Sequence, residues 1–196
     1  MWVTGRAATG KSTVIAACVA RLRADSREPL VLSDEELLLQ LQEADVEHRH
    51  HYHPHGDHRF LFRDGYLFDQ GLRRINARLL EAIASGSSDI VLVELARGAA
   101  APVADVSYRR ALALIDPRVW AQSLVFHLDV SYRLQLQRNR ARAIEKASAT
   151  PAQVMRDLYT HDDHETLTTA GITVHTLPAD CPAKEVAAII LSWLGV

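Results

Sequence analysis

Cysteine is nearly absent from this chain of 196 residues: Cys18 and Cys181 stand alone, far apart in sequence. Two isolated thiols exclude a disulfide framework and a thiolate-based metal site. Lysine is scarce as well, with Lys11, Lys146 and Lys184 the only three. Arginine carries the rest of the basic charge, yet the net charge is −2. No broad positive field is therefore available to hold nucleic acid or an anionic membrane. No apolar run reaches the roughly 18 residues that cross a bilayer, and no segment reads as a secretory signal. Together these absences point to a reducing, cytoplasmic setting. There is also no internal repeat and no Pro/Gly-rich linker, so residues 1–196 read as a single domain. Its balance of 48% apolar and 23% charged residues is that of a folded globular chain.

What the chain does have is Gly5-Arg6-Ala7-Ala8-Thr9-Gly10-Lys11-Ser12, which fits the phosphate-binding P-loop pattern G-x-x-x-x-G-K-[ST]. The flanks supply the context this short pattern needs. Trp2-Val3-Thr4 precedes it as a β-prone run, and Ser12 to Leu22 follows as a helix. Glycines let successive backbone N–H groups converge on one phosphate, and the helix N-terminus adds its positive end. Gly5, Ala8, Thr9, Gly10, Lys11, Ser12 and Thr13 are thus the expected triphosphate cradle. Within it Lys11 serves the β- and γ-phosphates and the Ser12 hydroxyl serves Mg²⁺.

Downstream, short apolar runs alternate with helical stretches. Strands are expected at 30–32, 90–95, 123–128 and 172–177. Helices are expected at 34–43, 66–84, 106–115, 132–143, 151–159 and 182–194. Thr150 is the expected cap of the helix that starts at Pro151. Continuous rather than alternating apolar strands imply a parallel sheet covered on both faces, an α/β sandwich. Ligands of such sheets sit beyond the carboxyl ends of the strands, so the residues there are the candidates. Asp34 follows the second strand; it reads as a base for an attacking hydroxyl, as a Mg²⁺ partner, or as a helix cap. Glu94 ends the apolar run from Ile90 as a Walker B-type acid, for Mg²⁺ or as a base. Arg97, just beyond, suits an acceptor or a phosphate. Arg138 and Arg142 share one helical face and suit charge stabilisation on a transferring phosphoryl group. The small, polar stretch that follows them suggests a mobile lid at about 138–150, with Asp162 and Asp163 as partners for its arginines or as a helix start.

Six of the ten histidines fall between His48 and His58. Imidazoles bind transition metals, but no metal-site spacing is present. A flexible acceptor-side loop at about 47–58 is the better reading. His53, Arg63 and Tyr66 are its candidate substrate contacts, with Phe60, Phe62 and Phe68 as candidate pocket walls and Arg73 and Arg74 as further cations for an acceptor phosphate. His127 and His175, inside strands, read as core residues.

On the P-loop at 5–13, Asp34, Glu94, Arg97 and Arg138 to Arg142, the chain resembles the P-loop kinases of the nucleoside and nucleotide kinase group. The resemblance implies a P-loop NTPase fold: a three-layer sandwich around a five-stranded parallel sheet of order 2-3-1-4-5, with an arginine-bearing lid. It also implies transfer of the γ-phosphate of ATP, with Mg²⁺, to a hydroxyl or phosphate of a small molecule such as a nucleoside, nucleotide or antibiotic. The adjacent Glu-Arg-Ser of deoxynucleoside kinases is absent, since Leu95 and Ala96 separate Glu94 from Arg97. The expected partner is a small-molecule acceptor, with no nucleic acid or membrane and with a homodimer left open. Two other classes compete. One is a nucleotide-binding regulatory or ligand-sequestering resistance protein. The other is a metal-delivery GTPase, which the lack of a guanine-reading Asn/Thr-Lys-x-Asp disfavours.

Overall fold

The computed structural model describes residues 1–45, 50–54, 60–86, 88–146, 149–178 and 180–195. In chain order the elements are β1 (Trp2–Gly5), α1 (Lys11–Ala24), β2 (Leu30–Ser33), α2 (Asp34–Ala44), β3 (Tyr52–Pro54) and β4 (Phe60–Phe62). Then come α3 (Tyr66–Ser85), β5 (Val91–Ala96), α4 (Tyr108–Leu114), α5 (Pro117–Trp120) and β6 (Val125–Asp129). The chain closes with α6 (Tyr132–Lys146), α7 (Ala152–Leu158), α8 (Glu165–Thr169), β7 (Val174–Pro178) and α9 (Ala183–Ser192).

Five parallel strands form the central sheet in the order β2-β5-β1-β6-β7. Counted among the parallel strands alone, this is the expected sequence of neighbours. The numbering differs because an antiparallel hairpin, β3–β4, falls between the second and third of them. That hairpin places 52–54 of the flexible loop expected at about 47–58 in a strand; residues 46–49 and 55–59 lie outside the described residues.

The two-residue period of the strands sorts side chains to opposite faces. Val3, Leu92, Phe126 and Leu128 meet α1 and α9 through Val14, Ile15, Cys18, Leu22, Ile190 and Leu191. Trp2, Val93, Leu95 and Val125 meet α3, α4 and α5 through Leu72, Ile75, Leu79, Ala111 and Trp120. The α3 stripe Phe68, Leu72, Ile75, Leu79 and Ala82 is buried at helical spacing. Trp2 and Trp120 stack with centroids 4.8 Å apart, and the Trp2 indole donates to Ser123 Oγ at 2.7 Å. Cys18 is a core thiol, pushed up to about 11 by burial.

Local capping explains several boundaries. The Ser33 hydroxyl accepts the Glu36 N–H at 3.4 Å and starts α2. Asp163 accepts Tyr108 N–H at 2.6 Å and Arg109 N–H at 3.2 Å, fixing the start of α4 from 54 residues away. Pro151, not Thr150, stands at the N-cap of α7; the Thr150 backbone is instead held by both ends of the Asn139 amide, at 2.8 and 2.9 Å.

The turn after β5 is clasped by α7. Gly98 N–H donates to Val106 O at 3.0 Å and Ala99 N–H to Leu158 O at 2.9 Å. A Cβ on Gly98 would lie 1.8 Å from Leu158 O, a backbone atom that cannot swing aside. Gly98→Ala is expected to cost about 3 kcal/mol, lowering the thermal midpoint by roughly 6–12 °C in calorimetry.

Candidate active site

The P-loop bends as its glycines require. Gly5 has φ 147° and Gly10 φ 100°, and Ala8 is held in the left-handed region at φ 60°. A Cβ on Gly5 would stand 2.9 Å from Leu128 O. The loop is braced from behind by Arg6, which donates to Thr160 O at 2.7 Å and Val130 O at 2.5 Å and lies 3.4 Å from Asp162. Lys11 is buried and folds across the loop, its Nζ donating to Arg6 O at 2.9 Å. Burial lowers its pKa; the carboxylates of Glu94 and Asp34 oppose that shift.

Ser12, at the first turn of α1, donates its hydroxyl to Glu94 Oε1 at 2.7 Å. Glu94 is itself buried on β5. This places the P-loop hydroxyl and the Walker B-type acid in direct contact. Two hard oxygen donors at this spacing suit a Mg²⁺ ion, which prefers oxygen ligands and keeps several waters.

Asp34 follows β2 directly. Because Ser33 takes the capping role, the Asp34 carboxylate turns elsewhere: Oδ2 accepts Ala96 N–H at 2.7 Å and lies 3.8 Å from Arg97 Nη2. Burial pushes its pKa up to about 6, against the pull of Arg97 and Lys11. Arg97 is 1% exposed, and its Nε and Nη1 find no hydrogen-bond partner among the described residues. On the other flank, Arg138 Nη1 donates to Thr9 O at 2.8 Å and Arg142 lies 3.3 Å from Glu35 Oε1.

These groups border one cavity of about 580 Å³. Ala8 to Thr13, Glu94, Arg138 and Arg142 line it, as do Asp34 and Arg97. Apolar walls come from Leu38, Phe62, Leu67, Phe68, Val154 and Tyr159. Cys181, in the turn after β7, also lines it. Burial pushes the Tyr159 phenol pKa up, so it stays neutral.

Other sequence candidates stand elsewhere. Gly5 lies beneath the loop rather than on the cavity wall. His53 is paired with Leu61 in the hairpin and does not line the cavity. Arg63 is exposed, its Nε donating to Tyr52 O at 3.4 Å. Tyr66 is 48% exposed and stacks on His51 at 4.1 Å, while His51 pairs with Asp64 at 2.8 Å. Neither Arg63 nor Tyr66 lines the cavity. Arg73 and Arg74 are exposed on α3. Among the described residues, Asp162 faces Arg6 and Asp163 caps α4. Sequence reading missed Leu38, Val154 and Tyr159 as walls and Arg6 as a brace. Only the helical spacing of Leu38 within an acid-started helix carried any signal for them.

A glycine loop between a central strand and its helix, in a sheet of this order, defines the P-loop kinase-like fold, and the chain has it. It is similar over 100% of its length to a sugar kinase from Janibacter sp. HTCC2649, solved unliganded, at 17% identity, TM-score 0.55 and 93% coverage of that chain. It is likewise similar to APE1195, at 12% identity and TM-score 0.56, covering 99% of this chain and 93% of that one. A third is shikimate kinase from Acinetobacter baumannii in complex with shikimate, at 16% identity and TM-score 0.52, covering 98% and 90%. No family model and no curated protein matches the sequence. No helix among the described residues is long and apolar enough to cross a membrane.

Proposed function

We propose that the protein is an ATP-dependent phosphotransferase acting on a hydroxyl of a small molecule. The observation that carries this reading is the contact of Ser12 with Glu94 at 2.7 Å, beside Lys11 and facing Asp34 across one cavity. The P-loop amides and Lys11 bind the triphosphate of ATP. Ser12 and Glu94 are the groups to hold Mg²⁺, which when bound neutralises charge on the β- and γ-phosphates.

In this reading Asp34, whose pKa burial raises to about 6, faces the acceptor side of the bound triphosphate. It takes the proton of the acceptor hydroxyl as that oxygen bonds to the γ-phosphorus and the bond to ADP breaks. Arg97 keeps the carboxylate anionic against the cost of its burial. Arg138 and Arg142 stabilise the charge that spreads over the transferring group. The apolar and aromatic walls favour an acceptor with a flat or hydrophobic body, such as a nucleoside, a nucleotide or an aromatic antibiotic, over a bare sugar.

An ADP-release screen over nucleosides, nucleotides, sugars and antibiotics tests the reading, with Lys11→Ala as the control. At least one acceptor is expected to raise ADP release well above that control; if none does, the reading fails. Arg138→Ala is expected to lower kcat about 100-fold or more while shifting ATP affinity far less, measured by steady-state kinetics beside calorimetry. The reverse pattern removes its transition-state role.

A further inference from the structure

Three side chains that phosphoryl transfer does not use converge on the brace behind the P-loop. His127 lies on β6, buried to 1%, while Asp162 and His164 come from the segment between α7 and α8. None of the three lines the cavity. His164 Nδ1 is 2.6 Å from Asp162 Oδ1, and His127 Nε2 is 3.6 Å from Asp162 Oδ2. One ligating atom from each residue falls within 4.8 Å of the other two.

The outer contacts match those of metal-binding imidazoles. His127 Nδ1 lies 3.2 Å from the Tyr108 hydroxyl and 3.3 Å from Thr4 Oγ1. Two hydroxyls on that nitrogen leave Nε2 for the Asp162 side, the arrangement that orients a histidine ligand. The two imidazoles stack with centroids 4.0 Å apart and planes within 11°, so His164, the more exposed of the two, has to turn out of the stack to direct its nitrogen at an ion shared with His127. The His164 side chain is 25% exposed and gives an entry path.

We propose that His127, Asp162 and His164 form a binding site for a divalent transition-metal ion of the zinc class. Two nitrogens and one carboxylate oxygen suit Zn²⁺ or Co²⁺, with water in a fourth position, and do not suit Mg²⁺ or Ca²⁺. The Asp162 Oδ2 that faces His127 also lies 3.4 Å from Arg6 Nε, and Asp129 adds a second carboxylate 3.7 Å from that guanidinium. The neighbouring cation weakens the site relative to an isolated three-ligand cluster, so micromolar rather than nanomolar affinity is expected. The bound ion would tie the segment at 160–164 to β6 at the base of the P-loop.

Metal-stripped full-length protein titrated with Co²⁺ tests this, read by the visible absorption of low-symmetry cobalt and by calorimetric stoichiometry. Imidazoles in general ligate Co²⁺, so the titration is repeated after replacing His48, His50, His51, His53, His55 and His58 with glutamine. That protein is expected to bind one equivalent, displaced by Zn²⁺. Adding His164→Gln is expected to weaken binding at least tenfold; in the natural sequence the same change lowers the stoichiometry by one. Circular dichroism checks the fold of each variant. Absence of saturable binding in the run-replaced protein, or unchanged stoichiometry and affinity with His164→Gln, overturns the site. Neither readout depends on nucleotide or on an acceptor.

Discussion

Asp34→Asn is expected to reduce turnover about 10²–10⁴-fold, the usual worth of a positioned general base, while leaving Mg·ATP affinity nearly unchanged. The carboxylate lies at the end of β2, held by the Ala96 N–H at 2.7 Å rather than by the P-loop. Its loss removes the proton acceptor without disturbing the phosphate cradle. The pH profile offers an independent reading. Burial raises the Asp34 pKa to about 6; the base works only when ionised, so kcat/KM should fall about tenfold per pH unit below that value and level off above it. Asp34→Asn should erase this limb from whatever residual rate survives. A variant that loses turnover but keeps the limb assigns it to another group. Retained turnover removes Asp34 from the chemistry and favours the sequestering class of protein.

Lys11→Ala is expected to act differently, lowering ATP affinity and turnover together, with kcat/KM down at least about 10³-fold. Its ammonium lies within the loop and donates to Arg6 O at 2.9 Å. That carbonyl is a weak substitute for phosphate oxygens, so little holds Nζ back when a triphosphate arrives. Calorimetry with Mg·ATP and steady-state kinetics on the same preparation separate the two variants. Equal affinity in Lys11→Ala and the natural sequence would contradict the phosphate-grip role.

Much of this site could be read before any coordinates because its parts are local. The P-loop is contiguous, and each strand of the parallel sheet is an apolar run that lands within about two residues of its expected place. Asp34 and Glu94 were visible as acids at strand ends. Their partners were not, because Ser12–Glu94 and Asp34–Ala96 are contacts across 82 and 62 residues. The hairpin escaped notice because β3 and β4 are three residues each and flank a polar histidine run. For His53 in that run, and for Arg63 and Tyr66 just after it, residue type alone points toward an acceptor. In the fold, Tyr66 and His51 stack on each other instead. Arg6 occupies a position where the motif accepts any residue, so nothing local marks it as the brace. Asp162 looked like a partner for the arginines of α6 because both are charged. Its geometry is set by the path of the segment between α7 and α8, which no spacing rule captures.

The paired indoles of Trp2 and Trp120 carry a practical consequence. One belongs to the strand that feeds the P-loop and the other to a helix on the sheet face, while the third indole, Trp193, is 53% exposed. Intrinsic emission therefore separates into a blue, shielded component and a red, quencher-accessible one. Loss of the blue component follows detachment of that helical layer from the central strand, giving an optical clock for unfolding that needs no dye and no substrate.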